Sequence, residues 1–121
     1  MSGVQLRFVS GADIEALHLT RQEILRAVEE ALRAQGDGQV VLEPRMHLIP
    51  PNGGKGHFNI LRGYLGPQNV CGVKVVGDFV DNHERGLPSE LALITVLDPE
   101  TGMPLGIVDG TMITSARLTK A

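Results

Sequence analysis

The chain has 121 residues, of which 42% are hydrophobic and 21% charged, and its net charge is -3. These values fit one soluble domain with a modest core, built from aliphatic side chains because aromatic residues make up only 3%. The sequence has no basic stripe, no apolar run near the ~20 residues that span a bilayer, and no apolar leader. We therefore expect a cytoplasmic protein that binds neither nucleic acid nor membrane. Cys71 is the single cysteine, which excludes an internal disulfide.

The first part of the chain is typical of a short strand followed by two helices. Residues 4–9 predict the strand, and Ser10 can cap a brief helical turn. Thr20 and Glu23 form a capping box ahead of an amphipathic helix, whose apolar residues recur at helical spacing. Gly36 is placed to end this helix in the left-handed conformation.

The remainder is strand-like, with strands predicted over residues 40–49, 57–65, 70–80, 91–97 and 104–108. A turn at 98–102 makes the last two a hairpin. Asp109 or Thr111 can cap a final helix. The fold class expected is α+β, a mixed sheet with the long amphipathic helix packed on one face.

Three cationic side chains occupy positions in the sequence where a charged residue could bind an anion. Lys74 interrupts an apolar strand, where it could bind a carboxylate or assist proton transfer, or could be an edge-strand lysine that discourages aggregation. Arg45 offers a bidentate fork for a carboxylate, or faces solvent beside Glu43. Arg117 follows a helix start, which suits an anion, although a solvated helical arginine is the common case.

Other motifs fail on inspection. Residues 53–56 (Gly-Gly-Lys-Gly) lack the spacing and the hydroxyl residue of a phosphate loop, and residues 36–38 precede a strand where the dinucleotide fingerprint must follow one. The four histidines lack metal-ligand spacing, so no metal site is predicted. Cys71 is interpreted as a small core residue.

Three segments, in their order and spacing, resemble the N-terminal half of the ornithine cyclodeaminase and mu-crystallin family. They are Gly72-Val-Lys-Val-Val76 with Asn82 and Gly86-Leu-Pro-Ser89; Leu97-Asp-Pro-Glu-Thr-Gly-Met-Pro-Leu105; and Asp109-Gly-Thr-Met-Ile-Thr-Ser-Ala-Arg117. The resemblance covers essentially the whole chain, so residues 1–121 are interpreted as a substrate-binding and dimerisation domain, truncated before a Rossmann domain.

The resemblance implies an enzyme that handles an amino or imino acid beside NAD(H) or NADP(H), as a homodimer. Arg45, Lys74 and Arg117 would bind the substrate carboxylate, with Lys74 also the candidate catalytic residue. Ser89 and Arg117 would contact the cofactor. The family's proton-transfer aspartate lies in the Rossmann domain, so the chain alone is predicted to be inactive. Cyclodeaminase, reductase and dehydrogenase activities remain open, as does a stand-alone dimerisation or carboxylate-binding module.

One departure from the family pattern is Arg62, an additional cation ahead of the lysine strand. We hypothesise that Arg62 or His47 recognises the second acidic group of a dicarboxylate substrate such as iminosuccinate. The alternative is a surface arginine without a role in binding.

Overall fold

The structure, a computed structural model, describes residues 3–51, 55–111 and 113. Within these residues, seven strands, two α-helices and one 3-10 helix follow one another. Their bounds are β1 Arg7–Val9, α1 Gly11–Ala16, α2 Arg21–Gly36, β2 Val40–Leu42, β3 Met46–Leu48, β4 Gly56–Leu65, β5 Val70–Phe79, the 3-10 helix Val80–Arg85, β6 Glu90–Leu97 and β7 Pro104–Asp109.

All seven strands form one mixed sheet in the order β1-β7-β6-β5-β4-β2, with β3 also paired to β4. Only the β1–β7 pair is parallel; the other pairs are antiparallel. The predicted α+β class and mixed sheet are therefore confirmed. No helix among the described residues is long and apolar enough to cross a membrane.

The central hairpin of β4 and β5 sets the geometry of the sheet. Its register runs without a break from Gly56 opposite Phe79 to Leu65 opposite Val70. Because side chains of a strand alternate between faces, this register assigns every residue of the hairpin to one side. We call the side that carries Lys74 the lysine face, which also carries Leu61, Val76, Ala92 and Ile94, and the other side the opposite face, which carries Ile60, Val73, Val75, Leu93 and Thr95.

The two faces differ in burial. On the lysine face Val76 and Ala92 are 5% and 6% exposed, whereas on the opposite face Val75 and Leu93 are 41% and 50% exposed. Large exposed apolar side chains gathered on one face are unusual in a monomeric protein. The buried sheet residues Val76 and Ala92 thus lie on the lysine face, and the opposite face exposes an apolar surface at Val75, Leu91 and Leu93.

Helix α2 begins as the sequence predicts. The Thr20 hydroxyl accepts from the Glu23 amide at 3.1 Å, and the Glu23 carboxylate accepts from the Thr20 amide at 3.4 Å. The predicted left-handed end at Gly36 is wrong: Gly36 is the last helical residue and Asp37 follows with φ -85°. The left-handed residue is Gly38, with φ +76°, since the chain completes the helix before it turns.

The packing predicted for α2 is not confirmed. Its apolar residues Leu25, Val28 and Leu32 are 47%, 42% and 63% exposed, and Ala34 is the buried residue of the helix. Helical periodicity creates an apolar stripe but does not specify its partner. Within the described residues the main contact of the helix with the sheet is with β2, and Leu25, Val28 and Leu32 of the stripe remain exposed.

The strand predicted over residues 40–49 is divided into β2 and β3. Both pair with β4, but Leu42 lies opposite Gly63 and Met46 opposite Ile60, so four steps on one strand match three on the other. Pro44 lies in this interval and has no amide hydrogen to donate to a neighbouring strand. The interruption therefore behaves as a bulge in an edge strand.

The final hairpin and helix start agree with expectation as far as the structure describes them. Gly102 adopts φ +75° in the turn between β6 and β7, and the Asp98 amide donates to the Met103 carbonyl at 2.9 Å. The Asp109 carboxylate accepts from the Thr111 amide at 3.0 Å, as a cap would. The predicted helix beyond this point lies outside the described residues, except for Thr111 and Ile113.

Candidate functional site

Lys74 lies in the middle of the sheet. It is half-buried, with Leu61 of β4 on one side and Ile94 of β6 on the other. Because β5 is paired along both edges, the edge-strand interpretation of Lys74 is wrong. Lys74 also has an interaction partner. A lysine in an apolar strand interior calls for a partner, since an isolated buried ammonium is costly.

Arg45 lies two strands away from Lys74, in the bulge between β2 and β3. Because Leu42 pairs with Gly63 and Met46 with Ile60, Arg45 stands level with the Leu61–Arg62 part of β4, and Leu61 is the cross-strand neighbour of Lys74. Two interstrand spacings separate the two backbones by roughly 10 Å. Arg45 is exposed, and the described residues show no ion pair between it and Glu43. The fold therefore brings Arg45 and Lys74 into one row across the sheet.

Ser89 is not brought into this row. It precedes β6, and its carbonyl accepts from the Phe79 amide at 2.9 Å, at the far end of β5. Ser89 lies five positions before Ile94, which is about 17 Å along an extended strand. The preceding segment is fixed because the Asn82 side-chain amide donates to the Pro88 carbonyl at 2.9 Å. Ser89 itself is exposed at the end of the sheet.

Arg117, the third predicted cation, lies outside the described residues. Its assignment to the substrate and the cofactor therefore stays a prediction.

Arg62 lies on the opposite face. It pairs with Val73, whereas Lys74 pairs with Leu61, so the Arg62 and Lys74 side chains leave opposite sides of the sheet. The register therefore does not bring Arg62 beside Lys74, and the hypothesis that Arg62 recognises a second acidic group stays a prediction. His47 pairs with Asn59 and lies on the lysine face, so that half of the hypothesis stays a prediction.

A polar group that the sequence analysis missed adjoins the row of cations. Asn59 lies on the lysine face beside His47 and His57, whose rings are 5.5 Å apart. The side-chain oxygen of Asn59 is buried, and none of the described residues provides it with a hydrogen-bond partner. The alternation of His57, Asn59 and Leu61 could have indicated this face, but only the register assigns it to the side of Lys74.

The surface next to Lys74, away from Asn59, is an apolar depression of about 290 Å³. Its floor is the cross-strand pair Gly63 and Gly72, which directly follows the pair Leu61 and Lys74. Lys74 contributes to its wall, together with the lysine-face residues Leu42, Leu65, Val70, Ile94 and Val96. A larger depression of about 520 Å³ lies on the opposite face, over Val75, Leu91 and Leu93. The described residues hold no group of three or more side chains placed to bind a metal ion.

With the fold and the row of cations in place, comparison with known proteins is decisive. The sequence profile of the Ornithine cyclodeaminase/mu-crystallin family matches residues 6–121. The chain belongs to this family. Its relatives include an alanine dehydrogenase of Archaeoglobus fulgidus, 33% identical over 87% of this chain and 31% of its own length. Another is the NAD(P)H-dependent anabolic L-arginine dehydrogenase of Pseudomonas aeruginosa, 32% identical over 97% of this chain and 36% of its own.

The fold agrees with the family. The Thermococcus litoralis Δ1-pyrroline-2-carboxylate reductase, solved with NADH and L-proline, superposes with a TM-score of 0.85 at 33% identity, over 93% of this chain and 34% of that one. Relatives in the family are NAD(P)-dependent dehydrogenases and reductases of amino and imino acids, and cyclodeaminases. The chain spans about one third of the length of the relatives it matches.

Proposed function

We propose that this chain supplies the substrate-holding face of an NAD(P)-dependent enzyme that acts on an amino or imino acid. The observation that supports the proposal is that Lys74 lies half-buried in the middle of the sheet and that Arg45 stands in the same row, two strands away. Family membership supplies the reaction class, which is an oxidation, reduction or deamination of such a substrate.

The chemistry of the row suits a carboxylate. A guanidinium offers two parallel donors to a carboxylate, and an ammonium offers a compact charge with three donors. Backbones roughly 10 Å apart allow two long side chains to meet one anion between them. Held from two sides, a carboxylate fixes the position of the α-carbon above the sheet, which is the purpose of substrate-positioning residues. We extend the proposal to Arg117 as a further carboxylate ligand, and to Lys74 as an aid to proton transfer.

A dinucleotide is not accommodated by the residues present. The sequence has no G-x-G-x-x-G pattern, and the described strands are not followed by a glycine-rich turn at a helix start. We propose that NAD(H) or NADP(H) supplies the hydride chemistry in the whole protein. The cofactor would be held mainly by residues that correspond to the two thirds of the relatives' length that this chain does not match. Ser89 and Arg117 would contribute from this chain.

We propose further that the open apolar face is where two copies of the chain pair. The exposed residues Val75, Leu91 and Leu93 form a contiguous surface across β5 and β6, and apolar surfaces of this kind mark association sites. A stand-alone dimerisation or carboxylate-binding module would share both surfaces. The intact mass of the native protein, with an assay of NADH and NADPH oxidation on imino acids, distinguishes the enzyme from the module.

The carboxylate site can be tested on the chain itself by following amide shifts in NMR during titration with acetate. We expect shifts centred on β3, β4 and β5 around Lys74, and a dissociation constant about tenfold larger in Lys74→Met, because a hydrogen bond to a charged group is lost. Arg62→Met is the matched control, since it removes a cation from the other face of the same hairpin.

An equal loss of acetate affinity in both variants would show that net charge alone attracts the anion. Unchanged affinity in Lys74→Met would also overturn the assignment. Circular dichroism of each variant checks that the fold is retained.

A further inference from the structure

We propose that Gly72 determines the class of substrate, by opening an apolar recess that receives an apolar side chain while Lys74 holds the carboxylate. The inference rests on the proposed function and adds to it the chemistry of the substrate's side chain. It concerns the depression floored by Gly63 and Gly72, which we call the glycine recess.

The structural reason for a glycine differs between the two glycines of the recess. A Cβ at Gly63 would lie 2.8 Å from Leu42 Cδ2 and 3.0 Å from the Val41 carbonyl oxygen, so the crossing of β2 requires a glycine there. A Cβ at Gly72 would meet nothing nearer than the Thr95 carbonyl oxygen at 3.8 Å, which is ordinary contact. Packing within the described chain therefore does not require Gly72.

Glycine in a strand interior has a cost, because it lacks a side chain to pack and loses more backbone entropy than other residues. A strand glycine that packing does not require marks a place where a ligand or another backbone approaches closely. Gly72 also has no positive φ that would explain it. Its absent side chain is what leaves the recess open.

The lining specifies the occupant. Besides Lys74, the recess is lined on this face of the sheet by eight apolar or glycine positions: Leu42, Leu61, Gly63, Leu65, Val70, Gly72, Ile94 and Val96; Arg62, Cys71 and Val73, which alternate to the other face, complete the lining. A charge at the rim of an apolar depression complements a molecule with one carboxylate and an apolar body. The volume of about 290 Å³ is at the lower limit for small-molecule sites, which suits a ligand of amino-acid size.

The other direction from Lys74 offers less to a polar side chain. The Asn59 side-chain oxygen is buried beyond the reach of solvent, and His47 is exposed. A second carboxylate there would gain little from burial, whereas an aliphatic group in the recess leaves water. The geometry thus favours an aliphatic or cyclic α-amino or α-imino acid over a dicarboxylate.

The test compares three ligands, L-alanine, L-isoleucine and L-aspartate, by amide shifts of the chain. Isoleucine should bind about tenfold more tightly than alanine, because its additional carbons enter the recess, and aspartate should bind no more tightly than alanine. Gly72→Val should reduce the isoleucine-to-alanine ratio to about one. Gly72→Ala, which meets no close contact, should give an intermediate ratio and guards against a folding defect in the larger variant.

The matched control is Thr95→Val, which replaces a hydroxyl by a methyl group on the opposite face, so that the same valine side chain stands on the other side of the sheet, and it should leave the ratio unchanged. A wild-type ratio near one, preferred binding of aspartate, or an undiminished ratio in Gly72→Val overturns the inference. If acetate still binds at Lys74 in that case, only the inference fails. If acetate does not bind there, the proposed function fails with it.

Discussion

The turn that joins β4 to β5 gives the most quantitative prediction, through Gly66. Its amide donates to the Gln39 carbonyl oxygen at 2.8 Å, and a Cβ at this position would lie 2.4 Å from that same oxygen. Gly66→Ala must therefore move the turn away from the segment that precedes β2. The strain of overpacking and the weakened hydrogen bond together should destabilise the fold by about 2–3 kcal/mol.

For a chain of 121 residues, the usual unfolding entropy converts 1 kcal/mol to about 4 °C in Tm. Gly66→Ala should then melt about 8–12 °C below wild type in a thermal scan by circular dichroism. Gly72→Ala is the matched control, because its Cβ meets nothing closer than 3.8 Å, and its Tm should stay within about 4 °C of wild type. Equal Tm values for Gly66→Ala and wild type would refute the close approach on which the reasoning depends.

Two further predictions concern helix starts. Thr20→Ala removes the cap of α2 and should cost about 1 kcal/mol of local stability, seen as roughly fivefold faster amide exchange over residues 21–24, whereas Thr20→Ser should retain wild-type exchange. Hydrogen bonds from the Ser10 backbone amide and then the Ser10 hydroxyl hold the pKa of Asp13 below its ordinary value. This lowered pKa of Asp13 stabilises the folded protein at pH values above the pKa of Asp13 in the unfolded chain. The stabilisation is lost as the pH falls through the pKa of Asp13 in the folded protein. In Ser10→Ala the carboxyl resonance of Asp13 should titrate at higher pH, part-way to normal because the backbone donor remains; an unchanged titration would contradict this.

The parts of the fold that sequence predicts well are those fixed by local chemistry. The capping box at Thr20 and the turn ending at Gly102 depend on residues three or four positions apart, and both are confirmed. Strand positions also follow, because β-branched and apolar residues between turn signals have few alternatives. Interactions between residues that are close in sequence can therefore be predicted from the sequence alone.

The errors concern relations between distant segments. The division of one predicted strand at Pro44 depends on β4, which supplies the register on both sides of it. The surface against which the apolar stripe of α2 packs cannot be identified from the helical periodicity of the sequence. For the candidate site, the sequence predicted Arg45 and Lys74 as cations of interest, but their position in one row across the sheet follows only from the pairings of β2, β3 and β5 with β4.

The case of Arg62 shows how the site depends on the parity of one hairpin. The four residues 66–69 close β4 and β5 with Leu65 opposite Val70, and from this closure Leu61 falls opposite Lys74. A closure shifted by one residue would place Arg62 or Ile60 beside Lys74, since side chains alternate with a period of two. The contact of Gly66 with Gln39 helps to hold this closure. The closure of this turn therefore decides on which side of the sheet each cation stands, and it places the apolar residue Leu61 beside Lys74.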